Sequence, residues 1–300
     1  MLWNSTGVTV AGSSGISGSS ADRLNQPWNI FIDQTNNYLY IADSQNHRIQ
    51  LWLPGAVNGT TVAGTGVQGS TANLLSFPRD VFVDSSKNLY IADSGNQRIQ
   101  FFPNGSTTGI TVSSGWSISG ALYGVQVVDG SIYACDYDKS AVWNNGSVVA
   151  GNLIAGSGSN QLNRPQGFAV DTSVAPGTVY VANTQQHTIV RWAVNATTST
   201  IAAGFSGSLG STPTLLMFPT TIKLDSYSNM FVVDNNNHRI QLFCRYPTIN
   251  MTGRTIAGQG ISGATPQRLN YPAGVALDAS LNLYVSDTSN HRVQKFQRLQ

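Results

Sequence analysis

The sequence predicts an all-β fold, a six-bladed β-propeller of four-stranded antiparallel blades. Three observations carry that expectation: one motif recurs six times along the 300 residues, each copy divides into four short strand-like runs, and the two chain ends are complementary fragments of one unit. Self-similarity at an interval of this length marks an array of one supersecondary unit.

Residues 88–100 read Asn-Leu-Tyr-Ile-Ala-Asp-Ser-Gly-Asn-Gln-Arg-Ile-Gln, and the string returns at 38–50, 230–241 and 283–294, with weaker copies at 132–143 and 179–191. The blades centre near Asp43, Asp93, Asp136, Asn183, Asp234 and Asp287, at intervals of 50, 43, 47, 51 and 53 residues. In five of the six copies the first strand follows a proline (Pro27, Pro78, Pro165, Pro219, Pro272) and is almost unbroken in apolar residues, as in Ile30-Phe31-Ile32 and Val275-Ala276-Leu277. Such a run suits an innermost strand covered on both faces. The second strand is the Leu-Tyr-Ile-Ala-Asp run, reached through a turn of Ser, Asn and Gly, and the third, Arg48-Ile49-Gln50-Leu51-Trp52 in copy one, follows a tight polar loop. Thr61-Val62-Ala63-Gly64 is a fourth strand, echoed at 148–151 and 255–258. No segment keeps a helical period. Val8-Thr9-Val10-Ala11-Gly12 is a fourth strand with no first three before it, and Phe296 closes a third strand with no fourth after it. Residues 7–12 are therefore expected to be the outer strand of the last blade, paired with 292–296, so that the ring shuts and no sheet edge stays open. Residues 1–300 then form one domain.

The string Ala-Asp-Ser-x-Asn-His-Arg-Ile-Gln resembles the NHL repeat, with Asn46-His47, Asn237-His238 and Asn290-His291 in its naming positions and Gln97 replacing His in copy two. The resemblance runs over essentially the whole chain. It implies the propeller, and it leaves function open, since one fold hosts many activities. Similar propellers are extracellular sensor and scaffold domains, recognition domains of ubiquitin ligases, and a lyase that processes peptide amides.

Composition narrows the function classes. Only 10% of residues are charged, against about 25% in a typical soluble protein, and small polar residues replace them. Such a surface suits the extracellular space. A net charge of +2 is too small for the positive field that phosphate-driven nucleic-acid binding requires, so nucleic acid is disfavoured as a partner. No apolar run approaches the length that spans a bilayer. Cys135 and Cys244 fall in different repeats and are expected to be free, mostly buried thiols.

The histidines His47, His187, His238 and His291 open the third strand of four different blades, a spacing around a ring that cannot converge on one tetrahedral ion. A structural role is expected for them. Asp43 and Arg48, Asp93 and Arg98, Asp234 and Arg239, and Asp287 and Arg292 flank the same tight loop and are expected to pair across it, holding the hairpin and satisfying loop backbone groups. Copy four carries Asn183 and Thr188 there, losing both charges together, and copy three keeps Asp136 opposite Ala141.

No catalytic residue, metal or cofactor is expected. The family resemblance implies that a lyase would carry metal-binding histidines just after the proline. Those positions here are Trp28-Asn29, Arg79-Asp80, Tyr123-Gly124, Gln166-Gly167, Thr220-Thr221 and Ala273-Gly274. Lactonase-type propellers need several inward carboxylates for a hard cation, and Asp80 with Asn29 supplies one. No Gly-x-Ser-x-Gly elbow is present. Those same positions are the candidate binding face: loops from fourth to first and from second to third strands share one side, which collects Arg23, Trp28, Asn29, Arg79, Asp80, Tyr123, Arg164, Gln166, Thr220 and Arg268. Arg and aromatic residues dominate interface hot spots. Lys223, inside a first strand, is expected to snorkel or pair beside the central channel.

Acceptor patterns for N-glycosylation stand at Asn4, Asn58, Asn104, Asn145, Asn195 and Asn250, one per repeat, between third and fourth strands. The expectation is thus a non-catalytic, extracellular or secreted scaffold, a monomeric domain of a larger protein, presenting a loop face to a protein, peptide or glycan. Two alternatives are a cytoplasmic recognition domain of a TRIM-type ubiquitin ligase binding protein or RNA, and a lyase or hydrolase with a channel metal.

Overall fold

A computed structural model describes residues 2–245 and 251–299. Its strands form six four-stranded antiparallel sheets arranged as a propeller, with one further two-stranded sheet. Blade 1 is typical: Pro27–Ile32, Leu39–Asp43, Arg48–Trp52 and Thr60–Gly64 run from the axis outward. The sixth blade takes Gly274–Leu277, Leu283–Asp287 and Arg292–Phe296 from the end of the chain and Val8–Gly12 from its beginning. Val8 pairs with Lys295 and Gly12 with Arg292, so the ring closes in the expected register. A second clasp was not legible in the sequence: Leu2–Trp3 pairs with Arg298–Leu299, and the Trp3 indole packs edge-on against Phe231 while its Nε1 donates to Leu281 O at 2.8 Å.

The core sits between blades. Each buried apolar cluster draws on two neighbours, as where Tyr40, Ala42 and Ile49 of blade 1 meet Val81, Leu89 and Ile91 of blade 2. This is why the first strands read as apolar throughout: each face of a sheet is a core for one neighbour. Two details depart from the sequence reading. Blade 2 has a fourth strand of only two residues, Ile110–Thr111, and Cys244 is exposed at the edge of its blade whereas Cys135 is buried.

Blades are also linked by hydrogen bonds that the histidines make. His47, His187, His238 and His291 each follow a single turn of 3-10 helix in the left-handed conformation. Their Nδ1 atoms accept the backbone N–H of Phe77, Phe218, Tyr271 and Gln26, the residue before the proline of the next blade. In blade 3 the Ser140 hydroxyl takes the Arg164 N–H instead. These pre-proline residues all hold φ between 47 and 50°, a strained conformation for bulky side chains that the acceptor helps to fix.

Candidate functional site

The start of each first strand sets the site. Side chains alternate along a strand, so Trp28, Arg79, Tyr123, Gln166 and Thr220 occupy one level of the ring and Asn29, Asp80, Gly124, Gly167, Thr221 and Gly274 the next. At the upper level four blades are joined by one ladder of Arg and aromatic contacts. The Arg79 guanidinium lies 3.9 Å from the Trp28 ring centre and 5.1 Å from that of Tyr123, within cation–π range. Trp28 and Tyr123 meet edge-on at 5.8 Å, Tyr123 stacks on Tyr137 at 4.7 Å, and Arg164 of blade 4 reaches over Tyr137 at 5.6 Å. Arg79 Nε is buried without a hydrogen-bond partner. Burial raises the Tyr123 phenol, and Arg79 acts against that shift. Beside the ladder, Trp28, Gln166, Thr184, Phe218, Thr220, Asn235 and Asn236 line a cavity of about 200 Å³. Gln166 Oε1 is buried there with no donor.

The ten residues proposed as one face thus divide, with Arg268 donating to Gln259 at 3.4 Å outside the ladder. Trp28, Arg79, Tyr123 and Arg164 make the ladder, and Gln166 and Thr220 join Trp28 around the cavity. Thr220 is itself buried, its hydroxyl donating to Ala273 O at 3.0 Å. Asn29 and Asp80 belong elsewhere, because alternation turns them inward: both line the central channel. Asp80 is only 7% exposed, and its oxygens accept the N–H groups of Val81 and Val125, each at 2.9 Å. Burial pushes its carboxyl up to about 7, against the pull of those N–H donors, the Asn29 amide and the Lys223 charge. Arg23 lies apart from the ladder, 3.9 Å from exposed Asp22.

The Asp and Arg of the repeats do more than bridge a hairpin. Arg48 Nε meets Asp43 Oδ2 at 2.8 Å, and the corresponding distances are 2.7 Å for Arg98–Asp93, 2.8 Å for Arg239–Asp234 and 2.8 Å for Arg292–Asp287. The rest of each guanidinium donates to the loop entering the blade: Arg48 to Ser19, Ser20 and Arg23 carbonyls, Arg239 to those of Ser211, Thr212 and Leu215. The other Asp oxygen accepts an N–H from the same loop, as Asp43 Oδ1 does from Asn25 at 2.7 Å. In blade 4 Asn183 keeps that acceptor role toward Asn163, and in blade 3 Asp136 takes the Lys139 N–H. These networks set the height of the loops that carry the ladder.

Asn4, Asn58, Asn104, Asn145 and Asn195 are all exposed, and Asn250 lies outside the described residues. Asn145 occupies a two-residue turn with φ of 46°, followed by Gly146 at 84°. No group of three or more metal-ligating side chains is found among the described residues.

A family model described as "NHL repeat" matches residues 75–102 and 269–296, two of the six copies. The chain thus carries NHL repeats on a six-bladed propeller. NHL repeat-containing protein 2 is similar over short stretches, 41% identical over 66 residues for the Bos taurus protein and 43% over 54 for the Homo sapiens one. Those matches cover 22% and 18% of the chain but 8% and 7% of the relatives, so they speak for the repeat alone. Three solved structures share the fold. An auxiliary nutrient binding protein from Bacteroides thetaiotaomicron superposes with a TM-score of 0.72 at 17% identity, over 97% of this chain and 75% of that one. A gluconolactonase from Xanthomonas campestris gives 0.66 at 12%, over 97% of both chains. A virginiamycin B lyase from Staphylococcus aureus gives 0.60 at 11%, over 94% and 98%. Binding proteins and enzymes thus share this propeller fold.

Sequence reasoning missed Tyr137, the ring that joins Tyr123 to Arg164. Its signal was present: the residue after the repeat Asp is Ser44, Ser94, Thr184, Asn235 or Thr288 elsewhere in this NHL propeller and aromatic only in copy three. Departure from the repeat's own consensus marked the site better than the consensus did.

Proposed function

We propose that the chain is a non-catalytic binding module, extracellular in its working location, whose Trp28–Arg79–Tyr123–Tyr137–Arg164 face takes a protein, peptide or glycan segment. The ladder carries this reading. An Arg packed against two aromatic rings that also touch each other is pre-organised, so little side-chain entropy remains to be lost on binding. The neighbouring cavity offers the side-chain amides of Gln166, Asn235 and Asn236 beside Trp28 and Phe218, a mixture that suits polar ligands with an apolar face. The low charge content and the exposed acceptor asparagines on the opposite loops support the compartment.

The first experiment screens the full chain against a glycan array and a displayed peptide library, then measures Kd for the recovered probe. Trp28→Ala, Arg79→Ala and Tyr137→Ala are each expected to weaken binding about tenfold or more, whereas Val57→Ala on the opposite loops leaves it unchanged. A probe held equally well by the triple variant would end the assignment of this face. Secretion from a eukaryotic host should yield glycans on Asn58, Asn104 and Asn195; unmodified protein would remove the extracellular part of the reading.

A further inference from the structure

The central channel is chemically unlike the Trp28 face. First-strand residues of all six blades line it, Asn29, Asp80, Gln126, Phe168, Lys223 and Val275 among them, around a cavity of about 290 Å³. Toward the Trp28 face it is pinched at the level of Asn29 and Thr221. Gly274 backs onto Asn29 and Gly167 onto Thr221 so closely that a Cβ on either would come within 2.5 and 2.6 Å of a neighbouring oxygen. At the other end the lining passes to turn residues Gln34, Ser173 and Ser226.

Lys223 is the one cation in that lining. Its ammonium makes neither a hydrogen bond nor an ion pair within 4 Å among the described residues. The carboxylates nearby are already engaged. Asp80 accepts the Val81 and Val125 N–H groups, Asp171 holds Ser228 and Arg245, and Asp225 holds Asn229. Gln126 spends its carbonyl oxygen on the Val170 N–H, which leaves its amide NH2 available. Lys223 is therefore balanced by Asp80 only at longer range, without a direct contact.

We propose that Lys223 anchors a channel site for a small organic monocarboxylate, with Gln126 and Thr221 hydrogen-bonding to the bound molecule. One cation balances one negative charge, and Asp80, Asp171 and Asp225 oppose a dianion. The cavity stands at the small end of ligand pockets, about 300–1,000 Å³, which suits a molecule no larger than a sugar acid. Burial holds the Lys223 ammonium below its usual range, with Asp80 acting against that shift, and a bound carboxylate would supply a counter-charge in direct contact. This site is independent of the Trp28 face, and either can fail without the other.

The test is calorimetric titration and thermal melting of the full chain with glucuronate and acetate, with inorganic phosphate for comparison, on the parent, Lys223→Met and Lys223→Arg. The parent should bind one of the two carboxylates saturably and melt higher in its presence. Lys223→Met should weaken binding by at least about tenfold, Lys223→Arg should retain most of it, and the ligand-free Lys223→Met protein should melt no lower than the parent. The proposal is overturned if neither carboxylate binds the parent, if Lys223→Met binds equally well, or if phosphate binds more tightly than both. A marked drop in the melting point of ligand-free Lys223→Met also counts against it, because Lys223 would then be held as a structural partner of Asp80.

Discussion

At the scale of single residues, the repeat carries its own control experiment. Asp234 accepts from Arg239 Nε, Asn237 Nδ2 and the Met217 N–H, all while fully buried. Asp234→Ala leaves the Arg239 guanidinium and a backbone donor unpaired and is expected to cost about 3–5 kcal/mol in urea unfolding. The double change Asp234→Asn with Arg239→Thr copies blade 4, where Asn183 still accepts the Asn163 N–H at 2.7 Å. It should cost clearly less than the single change; equal costs would mean that the ion pair is not the unit that matters.

At the scale of elements, the histidine clasps tie stability to pH. Each Nδ1 is an acceptor, so the imidazole must be neutral for the bond to exist. Burial holds His47, His187, His238 and His291 below their ordinary value of 6.5, opposed at His47 by Asp93, at His238 by Asp287 and at His291 by Asp43 and Asp287. The unfolded chain therefore binds protons that the folded chain refuses. The clasp contribution is complete above the unfolded value near 6.5 and is lost as pH falls through the lower folded values. Urea midpoints at pH 7.5 and 5 should differ more for the parent than for a variant with all four histidines replaced by Gln, the residue that blade 2 carries at Gln97. Comparing the two proteins isolates the imidazoles from the buried carboxylates, and identical pH dependence would remove the clasp from the account. This role was hidden in the sequence: the Asn-His pair was visible, but its partner, the residue before the next proline, lies 30 positions on for His47 and 265 positions back for His291.

For the whole molecule, closure is the property on which the rest depends. Val8–Gly12 completes the sixth blade, and Leu2–Trp3 adds a second short sheet with Arg298–Leu299. Removing residues 2–12 exposes the Arg292–Phe296 edge and opens part of the Trp3, Phe231 and Phe296 core. A fall in melting temperature of about 5 °C or more is expected, far beyond ordinary terminal trimming; an unchanged melting curve would refute closure by these strands.

Blade number, strand order and ring closure could be read from the chain because they follow from local, repeated patterns: apolar runs after prolines, a motif six times over, and two ends that complete each other. Four members of the ladder and its cavity, Trp28, Arg79, Tyr123 and Gln166, were also legible as a candidate face from their places at the start of the first strands. The sequence could not say which of those neighbours faces the loops and which the channel, since Trp28 and Asn29, or Arg79 and Asp80, are adjacent in the chain and opposite in space. Nor could it bring Tyr137 and Arg164 onto the ladder or leave Lys223 without a partner. Those outcomes depend on how six sheets tilt and pack around one axis, and distances between blades are set by contacts that no local pattern encodes.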